Sequence, residues 1–376
     1  MLFTQFGQQA NAQQLDMDSV EIGLITCSPH EEVYSLYGHT ALRFHDLRSK
    51  KDIAFNWGVF NFMAPYFELR FVFGLTDYEL GLVPFDIFCE YYKQWGSEIT
   101  EQVLNLTADE KRMIIDALTE NLKPTNKVYR YNFFYDNCST RPRNIIERCI
   151  NGKIVYQERP GYRPSYRQMI HEMNAHHPWA AWGNDILLGL TADRETTPRQ
   201  QEFLPHNLML NFKDAQIQST DGQVRPLVKE QRIILRQGIQ TVTEDNIPSP
   251  IQCALIIAVI FALVLAWEVR HSRCLVWFDA IYMLIIGVAG CIVLATFFSQ
   301  HPTTSTNLQI LIFNPVHLFF IRSVLKRSPR ALYWTIQITT ICTMLIFSMF
   351  QDYADGVEIL ALCLLSRCWS HRKFKQ

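Results

Sequence analysis

The reactive chemistry this sequence offers is that of a thiol and an imidazole. Cys138 stands in Tyr131-Asn-Phe-Phe-Tyr-Asp-Asn-Cys-Ser-Thr-Arg-Pro-Arg143, where an aromatic, extended segment gives way to a predicted helix. A helix start favours a thiolate, because its free N–H groups and positive dipole end stabilise an anion, and Arg141 and Arg143 add positive charge nearby. Such a sulfur attacks an acyl carbon once a base removes its proton. His39, in Tyr37-Gly-His-Thr40 at the start of a predicted strand, is the candidate base. The third, orienting member is either Asn56, on the strand expected to pair with that of His39, or Asp136 beside the cysteine; Asn137 is a further supporting candidate.

Each of these residues also has a plainer reading. A cysteine at a helix start can be a small buried residue, and a histidine on a strand can be a satisfied core group. Cys27-Ser-Pro-His30 lies near His39 and His45, but no paired CxxC or HExxH spacing accompanies it, so no metal and no cofactor are predicted.

The elements that must bring Cys138 and His39 together read as α+β. Val20–Thr26, Thr40–Phe44 and Ile53–Phe60 are strand-like, the last two joined by a polar turn from Asp46 to Asp52. Val103–Leu106 is another expected strand. Thr107-Ala-Asp-Glu110 is a capping box before the helical spacing of Met113, Ile114, Ala117, Leu118 and Leu122, which Pro124 stops. Tyr129–Tyr135 is expected to be extended and Asn137–Ile150 helical, with Pro142 tolerated in the first turn. Helical stretches follow at Ser165–Asn174 and Trp179–Leu190. Lys229–Pro250 reads as a linker. Near Trp179 and Trp182, Asp185 and Asp193 are read as helix caps or as part of an amine site.

The other half of the chain is different in kind. Apolar residues make up 48% of the sequence and charged ones 19%, and the charges nearly vanish within several runs between Ile251 and Leu365. Ile251–Val269 and Leu275–Phe298 are each long enough to cross a hydrocarbon core, and Leu332–Phe350 is a third good span. Leu308–Ile321 and Val357–Leu365 are shorter and cross only with tilt, which makes about five spans. Arg270 and Arg273, then Arg322 to Arg330, then Arg367 to Lys375 fall in alternate loops. The positive-inside rule therefore puts the soluble part outside the cytoplasm. Ala10-Asn11-Ala12 has the pattern of a signal-peptide cleavage site and agrees with that side. The net charge of -1 and the lack of a basic face give no reason to expect a nucleic-acid partner.

The domain expectation is thus a leader remnant over 1–19, a periplasmic catalytic domain over 20–228, a linker over 229–250 and a transmembrane domain over 251–376. Four cysteines lie in the soluble part, an even number that permits disulfides, but a nucleophilic Cys138 must stay unpaired.

Tyr37-Gly-His-Thr-Ala-Leu-Arg43, Phe55-Asn-Trp-Gly-Val-Phe60, Phe71-Val-Phe-Gly74 and the Tyr131–Arg141 segment together resemble the Lnb N-terminal periplasmic domain of Bacteroidota. Asn184-Asp-Ile-Leu-Leu-Gly189 and Ser299-Gln-His-Pro-Thr-Thr304 extend the likeness into the Lnb transmembrane region, so that it covers nearly the whole chain. Lnb proteins are lipoprotein N-acyltransferases. The resemblance implies transfer of a fatty acyl chain from a phospholipid, through Cys138, to the N-terminal amine of a diacylglyceryl-cysteine lipoprotein in the inner membrane. The His-before-Cys order is similar to permuted papain-like acyltransferases, which implies that fold for the soluble domain. His301, in an outer loop, contacts head groups or assists the site, or is an ordinary exposed loop residue. The rival readings are a membrane-anchored cysteine peptidase or amidase acting on cell-wall peptides, and a tethered binding or sensor module. Several spans, one broken at Asn314-Pro315, favour a lipid substrate over a single-anchor peptidase.

Overall fold

The structure, a computed structural model, describes residues 15–374 apart from 31–34, 62, 240–246 and 327–330. Ala10-Asn11-Ala12, Arg327 and Arg330 of the basic run, and Lys375 lie outside the described residues. The chain forms two units, one of residues 1–163 with 196–243 and one of 164–195 with 244–376.

The first unit is built on a sheet. Its strands are β1 (Val20–Cys27), β2 (His39–Asp46), β3 (Lys51–Val59), β4 (Asp77–Pro84), β5 (Ile99–Leu104), β6 (Val128–Arg130), β7 (Gly152–Val155), β8 (Gln216–Ser219), β9 (Val224–Pro226) and β10 (Val228–Leu235). Seven pair antiparallel in the order β10-β5-β1-β2-β3-β4-β6, and β7-β8-β9 make a small second sheet. In chain order the helices of the protein are α1 (Phe67–Val72), α2 (Phe85–Gln94), α3 (Ala108–Asn121), α4 (Thr140–Cys149), α5 (Tyr166–Met173), α6 (Pro178–Leu187), α7 (Pro198–Gln201), α8 (Pro205–Asp214), α9 (Pro250–His271), α10 (Val276–Thr296), α11 (Val316–Leu325), α12 (Ala331–Phe347) and α13 (Val357–Lys373).

Alternation along the central strands explains why both sheet faces are covered. Ile22, Leu24, Leu42, Phe44, Phe55 and Trp57 turn to one side, where Ile114 and Leu118 of α3, Ile145 and Ile146 of α4, and Leu208 and Phe212 of α8 complete the main core. Ile25, Ala41 and Ala54 turn to the other side and meet Phe85 and Phe88 of α2. Arg43 is also buried on that side and is neutralised by Glu101 at 2.9 Å and by Asp52 at 2.6 Å. Each fully buried aliphatic or aromatic side chain in these layers stabilises the fold by roughly 1.5–3 kcal/mol.

The expected elements are found with shifted ends. The capping box at Thr107 and Glu110 forms and starts α3. The helix expected from Asn137 starts only at Thr140, because the preceding residues are used as its cap. The extended aromatic segment keeps strand geometry only over β6, after which Asn132 and Asp136 close a tight turn through backbone bonds of 3.0 and 2.9 Å. The expected linker from 229 opens with β10, an edge strand held by β5. Its polar, largely exposed stretch Lys229–Arg232 is what a sheet edge facing water tolerates.

The second unit is helical. Three of its helical stretches, Pro250–His271, Val276–Thr296 and Leu308–Leu325, are long and apolar enough to cross a membrane, and Leu332–Phe347 is a shorter apolar helix. The third stretch is interrupted. A 3-10 turn over Leu308–Leu311 leads to Asn314-Pro315, and α11 begins after the proline. Gly290 of α10 lets that break approach: a Cβ there would lie 2.5 Å or less from the Asn314 backbone. Helices α5 and α6, expected as part of the soluble domain, group with this unit. Backbone bonds from Gly189 to Thr303 (2.8 Å) and from Leu190 to Thr306 (3.2 Å) tie them to the loop before the 3-10 turn.

Candidate active site

Two short-range devices aim the reactive side chains. At the start of β2, Gly38 has φ +74°, and a Cβ on it would come within 2.7 Å of the Cys27 carbonyl oxygen. Only glycine fits that turn, and the turn delivers His39 opposite Cys27 on β1. At the other side, the Asn137 carboxamide oxygen accepts the N–H groups of Ser139 and Thr140, both at 2.9 Å, and its amide donates to the carbonyls of Phe133 (2.8 Å) and Phe203 (2.9 Å). Asn137 thereby fixes the start of α4, and Cys138 with it. The two devices meet where the Thr40 and Ser139 hydroxyls bond at 2.9 Å, while the Thr40 N–H donates to the Cys138 sulfur.

Cys138 and His39, 99 residues apart in the chain, are thereby hydrogen-bonded to each other. His39 Nε2 lies 2.6 Å from Asn56 Oδ1. A carboxamide oxygen only accepts, so Nε2 carries a proton and the other ring nitrogen is left to take one from the thiol. Burial pushes the Cys138 thiol up, but the charge and hydrogen bond of His39, the Thr40 N–H and the Ser139 hydroxyl outweigh it and bring the thiol below its ordinary value. Burial pulls His39 down, yet the Cys138 charge and the bonds to Cys138 and Asn56 leave it above its ordinary value. Both shifts favour the thiolate–imidazolium pair. His30, stacked on Trp95 at 4.4 Å, is pushed down to about 4 by burial and by the charge of His39, so it remains neutral beside the pair. The Cys138 thiol is in no disulfide.

Residues 7–172 match the family described as the Lnb N-terminal periplasmic domain, and residues 242–376 match the Lnb transmembrane domain. The chain belongs to the Lnb family. It is therefore a membrane protein whose N-terminal domain lies in the periplasm, consistent with its apolar helices. Among curated proteins none matches it, and no solved structure does.

In this Lnb chain the remaining predicted site residues fall elsewhere. Asp136 does not reach His39; it holds Arg141 through two bonds of 2.7 Å, and the guanidinium lies 3.6 Å over the Tyr129 ring. Arg143 is buried against Glu202 at 3.1 Å and the Arg199 carbonyl at 3.0 Å. Neither arginine is among the main groups that lower the thiol, and each is matched by its own carboxylate. His301 belongs to the second unit, where it is buried and its carbonyl accepts the N–H and hydroxyl of Thr304. Asp185 and Asp193 are not caps: both flank the buried Arg167 at 2.7 Å, and Asp185 also holds His171 at 2.8 Å.

Thr40 and Ser139 are the functional neighbours that sequence reasoning passed over. Their signal is adjacency, since each directly follows one of the two reactive residues. Asn137 also limits which N–H groups of the helix start are open to an oxyanion. Its side chain consumes the Ser139 and Thr140 N–H groups, and its own N–H donates to the Thr140 hydroxyl at 2.8 Å. The Cys138 N–H is the one of this turn that remains open among the described hydrogen bonds.

Proposed function

We propose that the chain is a lipoprotein N-acyltransferase that works through an acyl-thioester on Cys138. The observation that carries the reading is the half-buried Cys138 sulfur bonded to His39, whose far N–H is held by the neutral Asn56. Its support is membership of a family whose domains suggest a lipoprotein-processing membrane enzyme. The Cys138 thiolate attacks the ester carbonyl of a phospholipid, and the C–O bond breaks as the imidazolium of His39 protonates the leaving oxygen, releasing a lysophospholipid. The amine of a diacylglyceryl-cysteine then attacks the thioester, His39 takes the amine proton, and the C–S bond breaks to leave an amide and free Cys138. Asn56 holds the imidazole in the tautomer both steps use. The Cys138 N–H serves as an oxyanion donor, a contribution of about 3 kcal/mol for one such group.

On this reading catalysis resides in the stretch 20–228, with the order of a permuted papain-like enzyme, and the helices α9 to α13 make five crossings. Substrates with acyl tails require this, because their tails leave lipid only at a large cost in exposed apolar surface. The test is to give purified protein in nanodiscs a labelled phospholipid and measure intact and peptide masses. An acyl adduct on Cys138 that moves to a diacylated lipopeptide is expected. No adduct, or triacylated product from Cys138→Ala, overturns the reading; hydrolysis of a cell-wall peptide instead would identify an amidase.

A further inference from the structure

The chain beside the site exposes an apolar lobe. From Asn61 to Phe73 no described residue is buried, and α1 within it buries none of its six residues. Met63, Tyr66 and Leu69 are 89%, 77% and 56% exposed. Asn61–Leu75 contains one acid, Glu68, and one base, Arg70, and Arg70 is turned to the Leu75 carbonyl at 3.0 Å and Asp77 at 3.8 Å. Clustered exposure of this kind marks a surface that meets something apolar.

Two observations name the occupant. The lobe is continuous with the thiol site through stacked rings: Phe67 on Phe60 at 5.4 Å, Phe60 on Tyr78 at 4.7 Å, and Tyr78 on Tyr131 at 4.1 Å. Tyr131 packs on the same core as Cys138, and after burial the charge of Cys138 is among the causes that push the Tyr78 and Tyr131 phenols up. The chain also carries apolar helices of membrane-spanning length, so bilayer lipid is always present at high local concentration. Aromatic and long aliphatic side chains with few charges are the composition of a surface that enters the headgroup and upper acyl region.

We infer that the Asn61–Leu75 lobe enters the lipid surface and that the ring stack from Phe67 to Tyr131 leads a phospholipid acyl chain to Cys138. This rests on the acyl-transfer reading for the second half of the claim only. Lipid reaches the sulfur past the edges of these stacked rings, so that the ester carbonyl can approach while the tail stays out of water.

Two experiments on the full chain separate the claims. In the first, Cys138→Ala protein in nanodiscs is irradiated with a phosphatidylethanolamine bearing a diazirine near the head of its acyl chain. Adducts at Met63, Tyr66 or Leu69 are expected, without any need for catalysis. Adducts confined to α9–α13 overturn the lobe, as do crosslinks of the lobe only to a second copy or only to a lipopeptide. In the second, Met63→Asp with Leu69→Asp is expected to slow thioester formation from vesicle phospholipid by roughly tenfold or more, since charge is costly at that depth. Thioester formation from a short-chain, water-soluble ester should stay unchanged. Equal losses with both donors, or none with either, overturn the proposal. If wild-type protein acylates Cys138 with neither donor, the acyl-transfer reading fails while the photo-adducts still judge the lobe.

Discussion

Polar groups gather in two places in this protein, and they gather differently. In the sheet unit, Cys138 and His39 are oriented by neutral groups: the Asn56 amide, the Thr40 N–H and the Ser139 hydroxyl. Among the membrane helices, Arg367 of α13 is held by Glu268 of α9 (2.6 Å) and by Asp279 of α10 (2.6 Å), with His371 on Asp279 at 2.8 Å and Ser370 on Glu268 at 2.7 Å. Both carboxylates of the second cluster are bound by the Arg367 guanidinium, and each of these side chains is buried. Charges matched in that way lock helices together and leave nothing to react. A nucleophile needs the reverse, a proton that moves between two groups while neutral neighbours hold the geometry. On the proposed reading, the density of titratable residues therefore does not mark the reactive site; a thiol with one base and one neutral orienter does.

The sharpest break of that contrast is Arg367→Leu. It leaves Glu268 and Asp279 buried without the guanidinium that both of them bind, and the expected loss is about 3–5 kcal/mol. Thermal unfolding in detergent and the yield of folded protein measure it. Cys138→Ala in the same assay should lie within about 1 kcal/mol of wild type, since it removes one partly exposed sulfur. Comparable losses for the two variants would erase the distinction between a structural cluster and a reactive one.

Removing the base tests the other side. His39→Ala should slow acyl-thioester formation by about 10²- to 10³-fold. It should also move the pH midpoint of Cys138 alkylation by iodoacetamide upward. The sign follows from the folded thiol: His39 contributes the largest lowering influences, and without them burial, which raises the pKa, dominates. The thiol is then harder to ionise, and the midpoint rises. An unchanged midpoint would mean that Thr40 and Ser139 alone hold the thiolate. Asn56→Ala is the milder companion, since it frees the imidazole to turn and mis-set its tautomer; about a tenfold loss of rate is expected, with the alkylation midpoint moving less than in His39→Ala.

Much of this was legible in the sequence where a signal is local. The capping box at Thr107, the apolar runs of α9 and α10, and the strand with His39 at its head are set by neighbouring residues or simple periodicity. Asn56 and Asp136 were both legible as neighbours of the pair; strand pairing puts Asn56 against His39, while Asp136 turns to Arg141. Long-range pairing hid the rest. Nothing near Val228 states that it will edge the sheet against β5, more than a hundred residues earlier. In the same way, Arg167 looks like a surface residue of an amphipathic helix until Asp185 and Asp193 close around it.

Arg141 gives the smallest effect and the cleanest reading of that lesson. Adjacency in sequence casts it as a cation that helps the thiolate, yet its guanidinium is bidentate on Asp136 and lies on Tyr129. A cation already matched by a carboxylate presents little net field to a third group. Arg141→Ala should therefore leave the alkylation midpoint of Cys138 where it is, and lower stability by about 1 kcal/mol or less, the worth of a partly exposed ion pair with a cation–π contact. A midpoint that rises as far as in His39→Ala would return Arg141 to the site, and with it the view that fixed charge, not a mobile proton, prepares the sulfur.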